Sequence, residues 1–283
     1  MLAALAASCS MAACGGGDDS PAAPASIVIE TSDPGPFDVE MRAPDTVPAG
    51  PVEIELRNRG DILHDAQLFR VDGDRTAADV TSALEDSDND PKPRWLHPAG
   101  GVAPVEPDET ASVRQVLAPG VYYAADTQER TGPHGSGVTN AVKDGIARIE
   151  VTGDGDGALP ETSATITAKE YGYDVDGIVA GANRVTFRNA GAQLHQAVAL
   201  RVEDGVPYRE GRRAAMARRG DTGWVPVDVP HDRATTVLEG GGEQITELTF
   251  EPGRYVVLCF VSDRAGGGPQ WALGMWARLD VPR

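Results

Sequence analysis

The sequence predicts an all-β protein made of two tandem β-sandwiches with short helical excursions. Its 33 glycines and 21 prolines, with 41% apolar and only 5% aromatic residues, suit many short strands separated by turns. Apolar and polar residues alternate strictly in several stretches, and similar blocks recur in both halves. A length of 283 residues is enough for two domains with one core each.

The strand predictions follow from periodicity. Val52–Arg57 and Arg184–Arg188 alternate between apolar and polar residues, so each is expected to place one face on a core. Tyr255–Leu258 is apolar throughout, which predicts an interior strand covered on both faces. Further strands are predicted near 26–30, 66–71, 111–117, 146–151, 164–169, 197–202, 244–250 and 275–281, and helical segments at 76–84 and 209–218. About seven or eight short strands in each copy indicate a β-sandwich.

An internal repeat predicts the domain organisation. Arg57–Ala66 aligns without a gap with Arg188–Ala197, and Ala118–Tyr122 aligns with Glu251–Tyr255. Two shorter blocks keep the same order, 37–39 with 173–175 and 48–50 with 179–181. Four matched blocks in one order indicate two copies of one fold. The expected divisions are a signal peptide and tether at 1–25, domain 1 at 26–152, a linker at 153–160 and domain 2 at 161–283.

The N-terminal segment resembles the end of a bacterial lipoprotein signal peptide. Small residues precede Cys14 and a glycine-rich polar tether follows it, which fits cleavage and lipidation at Cys14. Met11 stands where leucine is usual, and no basic residue precedes the apolar part. The alternatives are lipidation at Cys9, a misplaced start codon or an unprocessed tail. We expect an exported protein of the cell envelope that contacts the membrane through its lipid only, since no stretch is long enough to span it.

The charge of the chain bears on its partners. A formal charge of -18 and a pI near 4.6 would repel phosphate backbones, so nucleic-acid binding is not expected. The acidity is compatible with a basic redox partner. It also suits an exported protein that only needs to stay soluble.

Three residues of the second half have the chemistry and spacing of a metal site. Cys259 ends the apolar strand, Met275 follows a glycine-rich loop, and His195 lies in an upstream turn that begins with Asn189. Once a signal peptide is removed, Cys259 is the lone thiol of the mature chain. It cannot form an internal disulfide, so it is either a buried apolar residue or a metal ligand.

The turn with His195, the sequence Gly253-x-Tyr255-x-x-x-Cys259 and the final Gly-Met275 resemble the cupredoxin (blue copper) family. The resemblance implies Greek-key sandwiches, a copper cofactor and one-electron transfer with a redox protein partner. It assigns His195 as an imidazole ligand, Cys259 as the thiolate and Met275 as the weak axial ligand.

The resemblance departs from the family at one position. Gln270 stands where the family carries its second histidine. Three outcomes are open: copper bound with Gln270 or water completing the shell, a ligand contributed by another histidine such as His231, or a vestigial site. The alternative function is a metal-free binding or scaffold module that keeps the fold.

The first half has a different residue set. His64 aligns with His195, whereas Asp126 stands at the position of Cys259 and Ile146 at that of Met275, so a blue copper site is not expected there. The dipeptide that ends at His134 is similar in position to the one that ends at Gln270. His64, Asp126 and His134 could together hold a divalent metal. The other interpretation is a spacer or interaction module in which His64 is hydrogen-bonded within a turn.

An enzymatic function is not expected. The sequence has no Gly-x-Ser-x-Gly, His-Glu-x-x-His or phosphate-binding glycine motif. A multicopper enzyme needs histidine pairs for additional copper ions, and five scattered histidines do not supply them.

Overall fold

The computed structural model describes residues 24–85, 91–130, 138–210, 213, 227–228 and 233–283. The strands of the first half are β1 (Ala25–Gly35), β2 (Asp38–Arg42), β3 (Thr46–Pro48), β4 (Gly50–Asn58), β5 (His64–Val71), β6 (Leu96–Val105), β7 (Thr110–Leu117), β8 (Gly120–Ala125), β9 (Glu129–Arg130), β10 (Val138–Thr139) and β11 (Ile146–Thr152). Those of the second half are β12 (Ala164–Lys169), β13 (Gly172–Asp176), β14 (Gly181–Asn189), β15 (Val198–Val202), β16 (Val227–Asp228), β17 (Glu243–Phe250), β18 (Gly253–Leu258) and β19 (Trp276–Val281).

The two sandwiches share one continuous sheet. Its strand order is β13-β12-β14-β17-β7-β4-β1-β2, and the antiparallel pair β7 and β17 joins the halves. Each half closes its sandwich with a sheet of its own, β3-β11-β8-β5-β6 in the first and β16-β15-β18-β19 in the second. The parallel pairing of β1 with β4 is repeated by β12 with β14. The prediction of two tandem all-β sandwiches is therefore confirmed.

The cores form where alternation predicts them. In β4, Val52, Ile54 and Leu56 face the first core and are buried, while their sequence neighbours are partly exposed. In β18, Tyr255 and Val257 lie in the second sandwich's core. Val256 and Leu258 pack in a separate apolar cluster on the other face of the strand. The prediction of an interior strand covered on both faces is confirmed.

Helical structure is limited to short segments in the described residues. The predicted helix at 76–84 is observed as α1 (Ala77–Glu85). Thr76 caps it, since its hydroxyl accepts the backbone N–H of Asp79 at 3.2 Å while the Asp79 carboxylate accepts the backbone N–H of Thr76 at 2.8 Å. One-turn 3-10 helices occupy Asn140–Lys143 and Gln270–Leu273. The segment predicted at 209–218 lies largely outside the described residues. None of the described helices could cross a membrane.

Candidate metal centre

The turn that carries His195 is shaped by Asn189. The Asn189 side-chain amide donates to the carbonyls of Gln193 and Leu238, both at 2.8 Å, and its oxygen accepts the backbone N–H of Gly191 at 3.0 Å. The backbone of His195 exchanges hydrogen bonds of 3.0 and 2.9 Å with Leu238. These bonds fix the position of the imidazole at the end of the sandwich.

The loop after Cys259 folds back onto the strand that it leaves. The backbone N–H of Gln270 donates to the carbonyl of Val261, and that of Trp271 donates to the carbonyl of Cys259, both at 3.0 Å. Met275 then donates its N–H to the carbonyl of Gln270 at 3.0 Å. Cys259 and Met275 consequently lie in the same buried core cluster.

The structure brings the His195 turn against this loop. The side-chain amide of Gln270 donates to the carbonyl of Leu194 at 3.0 Å. The backbone of Gln196 lies close enough to the thiol of Cys259 to lower its pKa. The residues on both sides of His195 thus contact the loop or the thiol, and all four ligands that the sequence predicts in this half are fully buried.

Three polar atoms at this point have no hydrogen-bond partner. They are Nδ1 and Nε2 of His195 and Oε1 of Gln270, none of which meets hydrogen-bond geometry here, although the Gln270 side chain lies near enough to the imidazole to raise its pKa. A buried polar atom without a partner costs about 1–3 kcal/mol, and folded proteins contain few of them. A buried imidazole without a partner, in a turn whose neighbouring residues contact Gln270 and the Cys259 thiol, is an arrangement that a bound metal ion would satisfy.

Burial controls the protonation of both donors. It lowers the pKa of His195, although the charge of Glu170 and the amide of Gln270 act in the opposite direction. Burial also raises the pKa of the Cys259 thiol, against hydrogen bonds from the backbone of Gln196 and Val261. At neutral pH the metal-free site therefore holds a neutral imidazole and a protonated thiol, and a metal ion would displace the thiol proton.

At the corresponding position of the first sandwich, both ring nitrogens of the histidine have carboxylate partners. Nδ1 of His64 lies 2.5 Å from Oδ2 of Asp126, and its Nε2 lies 3.2 Å from Oδ2 of Asp33. Asn140 donates its amide to the same Asp126 oxygen at 2.9 Å. Burial by itself would lower the pKa of His64, but the two carboxylates outweigh it and raise the pKa. His64 is therefore held in an ion pair.

The residue in the position of Gln270 is Asn140, which corrects the sequence alignment. Its backbone N–H donates to the carbonyl of Gln128 at 2.9 Å, and Ala141 donates to that of Asp126 at 2.8 Å, as Gln270 and the residue after it do in the second half. The alignment of His134 with Gln270 is therefore wrong, and His134 itself lies outside the described residues. Sequence reasoning failed here because the two loops differ in length.

The counterpart of Met275 also needs correction. Ile146 pairs with β8, whereas Gly145 donates its N–H to the carbonyl of Asn140 at 3.1 Å, as Met275 does to Gln270. Gly145 rather than Ile146 is thus the counterpart of Met275, one residue earlier than the alignment predicts. Within the described ranges, no three or more His, Cys, Asp or Glu residues are grouped so that they could hold a metal. The second site has only two such residues, and its other donors are an amide and a thioether.

Sequence reasoning missed the residues that surround the two histidines. Asp33 completes the His64 pair, and Glu170 accepts the backbone N–H groups of Ala192 and Gln193 in the His195 turn. The hydroxyl of Tyr173 lies close enough to Cys259 for each group to affect the pKa of the other. The predicted match of block 173–175 with block 37–39 is wrong, because Tyr173 pairs with Ala168 whereas Met41 pairs with the equivalent Thr31, so the counterpart of Tyr173 is Met41 rather than Phe37. Cys14 and His231 lie outside the described residues.

No protein-family model matches this chain, and no curated protein matches it. Similar solved structures include auracyanin from Roseiflexus castenholzii, 27% identical over 42% of this chain and 95% of that one, with a TM-score of 0.29. Auracyanin A from Chloroflexus aurantiacus, described as a "blue" copper protein, is 18% identical over 45% and 99%, with a TM-score of 0.29. The Cu-containing nitrite reductase from Thermus scotoductus SA-01 is 14% identical over 92% and 62%, with a TM-score of 0.24. Blue copper proteins, the family that the motifs resemble, thus recur among similar structures. Because the TM-scores are low, we base the function on the geometry of this chain.

Proposed function

We propose that the second sandwich binds copper through His195, Cys259 and Met275, and that the protein carries single electrons. The observation that supports this most directly is the fully buried His195, whose two ring nitrogens both lack a partner. Imidazole nitrogen and thiolate sulfur suit copper in both oxidation states, and a thioether is a suitable weak third ligand. The donors present therefore fit copper.

The internal repeat identifies the nitrogen that would bind. In the first sandwich, the atom that faces Asp126, at the position of Cys259, is Nδ1 of His64. We expect Nδ1 of His195 to face the equivalent place and to be the donor. When bound, copper would supply a one-electron change of oxidation state.

The protein itself would fix the positions of the donor atoms and exclude water from them. Gln270 is tied through its amide nitrogen to the carbonyl of Leu194, which leaves its amide oxygen as the additional donor. Cys259 and Met275 are embedded in the core of the sandwich, so their positions change little. A rigid buried site of this kind suits electron transfer, because little reorganisation accompanies a change of charge.

Within this proposal the protein is an electron carrier with a redox protein partner, and not an enzyme. Additional copper ions would need additional histidine ligands. Of the described histidines outside the second site, His64 is held by Asp33 and Asp126, and His97 lies 2.8 Å from oxygens of both Asp72 and Glu239.

A metal-free binding module is the second candidate, and one observation favours it. Gln270 offers a neutral amide oxygen where an imidazole would bind copper more strongly. The fold and the first sandwich would then serve as a scaffold that recognises another molecule.

Copper loading of the purified protein separates the two functions. We expect one copper per chain and an intense visible thiolate-to-copper band that disappears in Cys259→Ser. Ser262→Ala, which changes a buried neighbour outside the donor set, serves as the control and should keep the band. Absence of stoichiometric uptake by the unchanged protein would support the metal-free module.

We also propose that the protein is exported and anchored to a membrane by a lipid on Cys14. The support is the small residues before Cys14 and the polar tether after it. In cell fractionation, Cys14→Ser should move the protein from the membrane to the soluble fraction. Retention of the variant in the membrane would contradict the anchor.

A further inference from the structure

We propose that the first sandwich holds the ligand loop of the second sandwich in place, and that Arg264 is the positioning residue through which it does so. The ligand loop is defined as residues 260–274, between Cys259 and Met275. The inference gives the first sandwich a role, and its effect on copper rests on the proposed function above.

Arg264 is bound directly to the first sandwich. Its Nη1 donates to the carbonyls of Pro93 and Leu96 at 3.1 and 2.9 Å. The backbone N–H of Lys92 donates to the carbonyl of Arg264 at 2.9 Å. The segment before β6 therefore contacts both the side chain and the backbone of the ligand loop.

A charged network continues from the same side chain. Nη2 of Arg264 donates to Oε1 of Glu239 at 2.8 Å, and the other oxygen of Glu239 lies 2.8 Å from Nδ1 of His97. Nε2 of His97 lies 2.8 Å from the carboxylate of Asp72. Hydrogen bonds to charged groups are stronger than those between neutral groups. Two of these residues, His97 and Asp72, belong to the first sandwich.

The network also reaches the turn of His195. The backbone N–H of Arg264 donates to the side-chain oxygen of Gln193 at 3.1 Å. Glu239 directly follows Leu238, whose backbone pairs with that of His195. Arg264 thus connects the first sandwich to both segments that carry the proposed ligands.

The geometry of arginine explains why this residue is suited to the role. Its planar guanidinium donates at once to two carbonyls and one carboxylate, which a lysine ammonium cannot do with the same orientation. The Arg264 side chain is only 22% exposed, so its bonds face little competition from water. Without them, the first part of the loop would lose its hydrogen bonds to the first sandwich.

The test compares Arg264→Ala and Arg264→Lys with Arg254→Ala, all in the full chain. Arg254 is the matched control, since it donates to the Glu203 carbonyl at 3.0 Å and is the second residue of the strand that ends next to Cys259. In metal-free protein, we expect amide exchange at Trp271 and Met275 to be about tenfold faster or more in both Arg264 variants. The control should match the unchanged protein. Thermal unfolding verifies that each variant is folded.

Copper-loaded protein provides the second measurement. Arg264→Lys should shift the thiolate-to-copper band and the copper hyperfine splitting, whereas Arg254→Ala should leave both unchanged. Unchanged exchange at Trp271 and Met275 in the Arg264 variants would overturn the inference. If the unchanged protein takes up no copper while exchange is still accelerated, the proposed function fails and the anchoring by the first sandwich stands.

Discussion

The two sandwiches place a buried histidine at the same point of the same fold and treat it in opposite ways. His64 has a carboxylate against each ring nitrogen, whereas His195 has no partner at either. Asp126 and Cys259 stand at corresponding positions, and they account for much of the difference. A carboxylate accepts strong hydrogen bonds, while a buried thiol is a weak donor and acceptor.

The same position in the fold can therefore be filled by hydrogen bonds within the protein, or its polar atoms can be left without partners until a ligand binds. In the first sandwich, Asp126 also accepts hydrogen bonds from Asn140 and from the backbone of Gln128 and Asp65, and both ring nitrogens of His64 have partners within the protein. In the second, both ring nitrogens of His195 lack a partner, whereas the amide oxygens of Asn140 and Gln270 are without one in both copies. The first arrangement contributes to folding directly, and the second costs stability until something binds.

The largest expected effect comes from the same substitution in the two copies. His64→Leu should destabilise metal-free protein by about 3–5 kcal/mol, because it leaves the buried Asp126 charge without its partner. His195→Leu should leave stability unchanged or raise it by about 1 kcal/mol, because it removes unpartnered polar atoms. Urea unfolding of chelator-treated protein measures both. Equal losses in the two variants would show that the histidines do not differ as described.

A smaller effect is expected from completing the ligand set of the second site. Gln270→His would place an imidazole beside His195 and Cys259, and the affinity for copper should rise about tenfold or more, since even outer-shell changes alter metal affinity by ~10–100-fold. Ser262→Ala, which changes a buried neighbour outside the donor set, is the control and should leave the affinity unchanged. Competition titration against a chelator measures the affinity. An unchanged affinity would mean that residue 270 does not contact the metal.

The smallest effect is a dependence of the His64 pair on pH. The pKa of His64 in the folded protein is raised above its ordinary value of 6.5. Its contribution to stability is therefore fully present below the unfolded pKa and is lost as pH rises through the folded pKa. The stability difference between the unchanged protein and His64→Leu should therefore shrink as the pH rises above the ordinary histidine pKa of 6.5 and through the raised pKa of His64.

Asp65 titrates near the same pH, because burial and the charge of Asp126 raise its pKa to about 7. His64→Leu removes the partner of Asp126 and so also affects Asp65, and the stability difference is therefore read together with a direct titration of the ring. Asp33 and Asp126 are the carboxylates that face the imidazole. Nuclear magnetic resonance titration of the His64 ring measures its pKa directly. A stability difference that stays constant over this pH range would contradict an ion pair.

The sequence alone was sufficient for the all-β fold, the two copies and the short helix at 76–84. Alternation sets which side chains of a strand can face a core, so β4 was predictable from its local pattern. The unbroken apolar run of β18 likewise predicted a strand covered on both faces. The resemblance to cupredoxins, rather than the repeat, predicted that His195, Cys259 and Met275 belong to one site. Loop lengths are not determined by such patterns, and for that reason His134 and Ile146 were matched to the wrong positions.

Only the tertiary structure decided which polar atoms find partners and how the halves are joined. The pairing of β7 with β17 and the contacts of Arg264 with the first sandwich unite residues that are far apart in the chain. Hydrogen bonds depend on distances of about 3 Å and on direction, which no residue pattern specifies. For that physical reason, the sequence predicted two related histidines, and the folded chain determined that one is satisfied by carboxylates and the other is not.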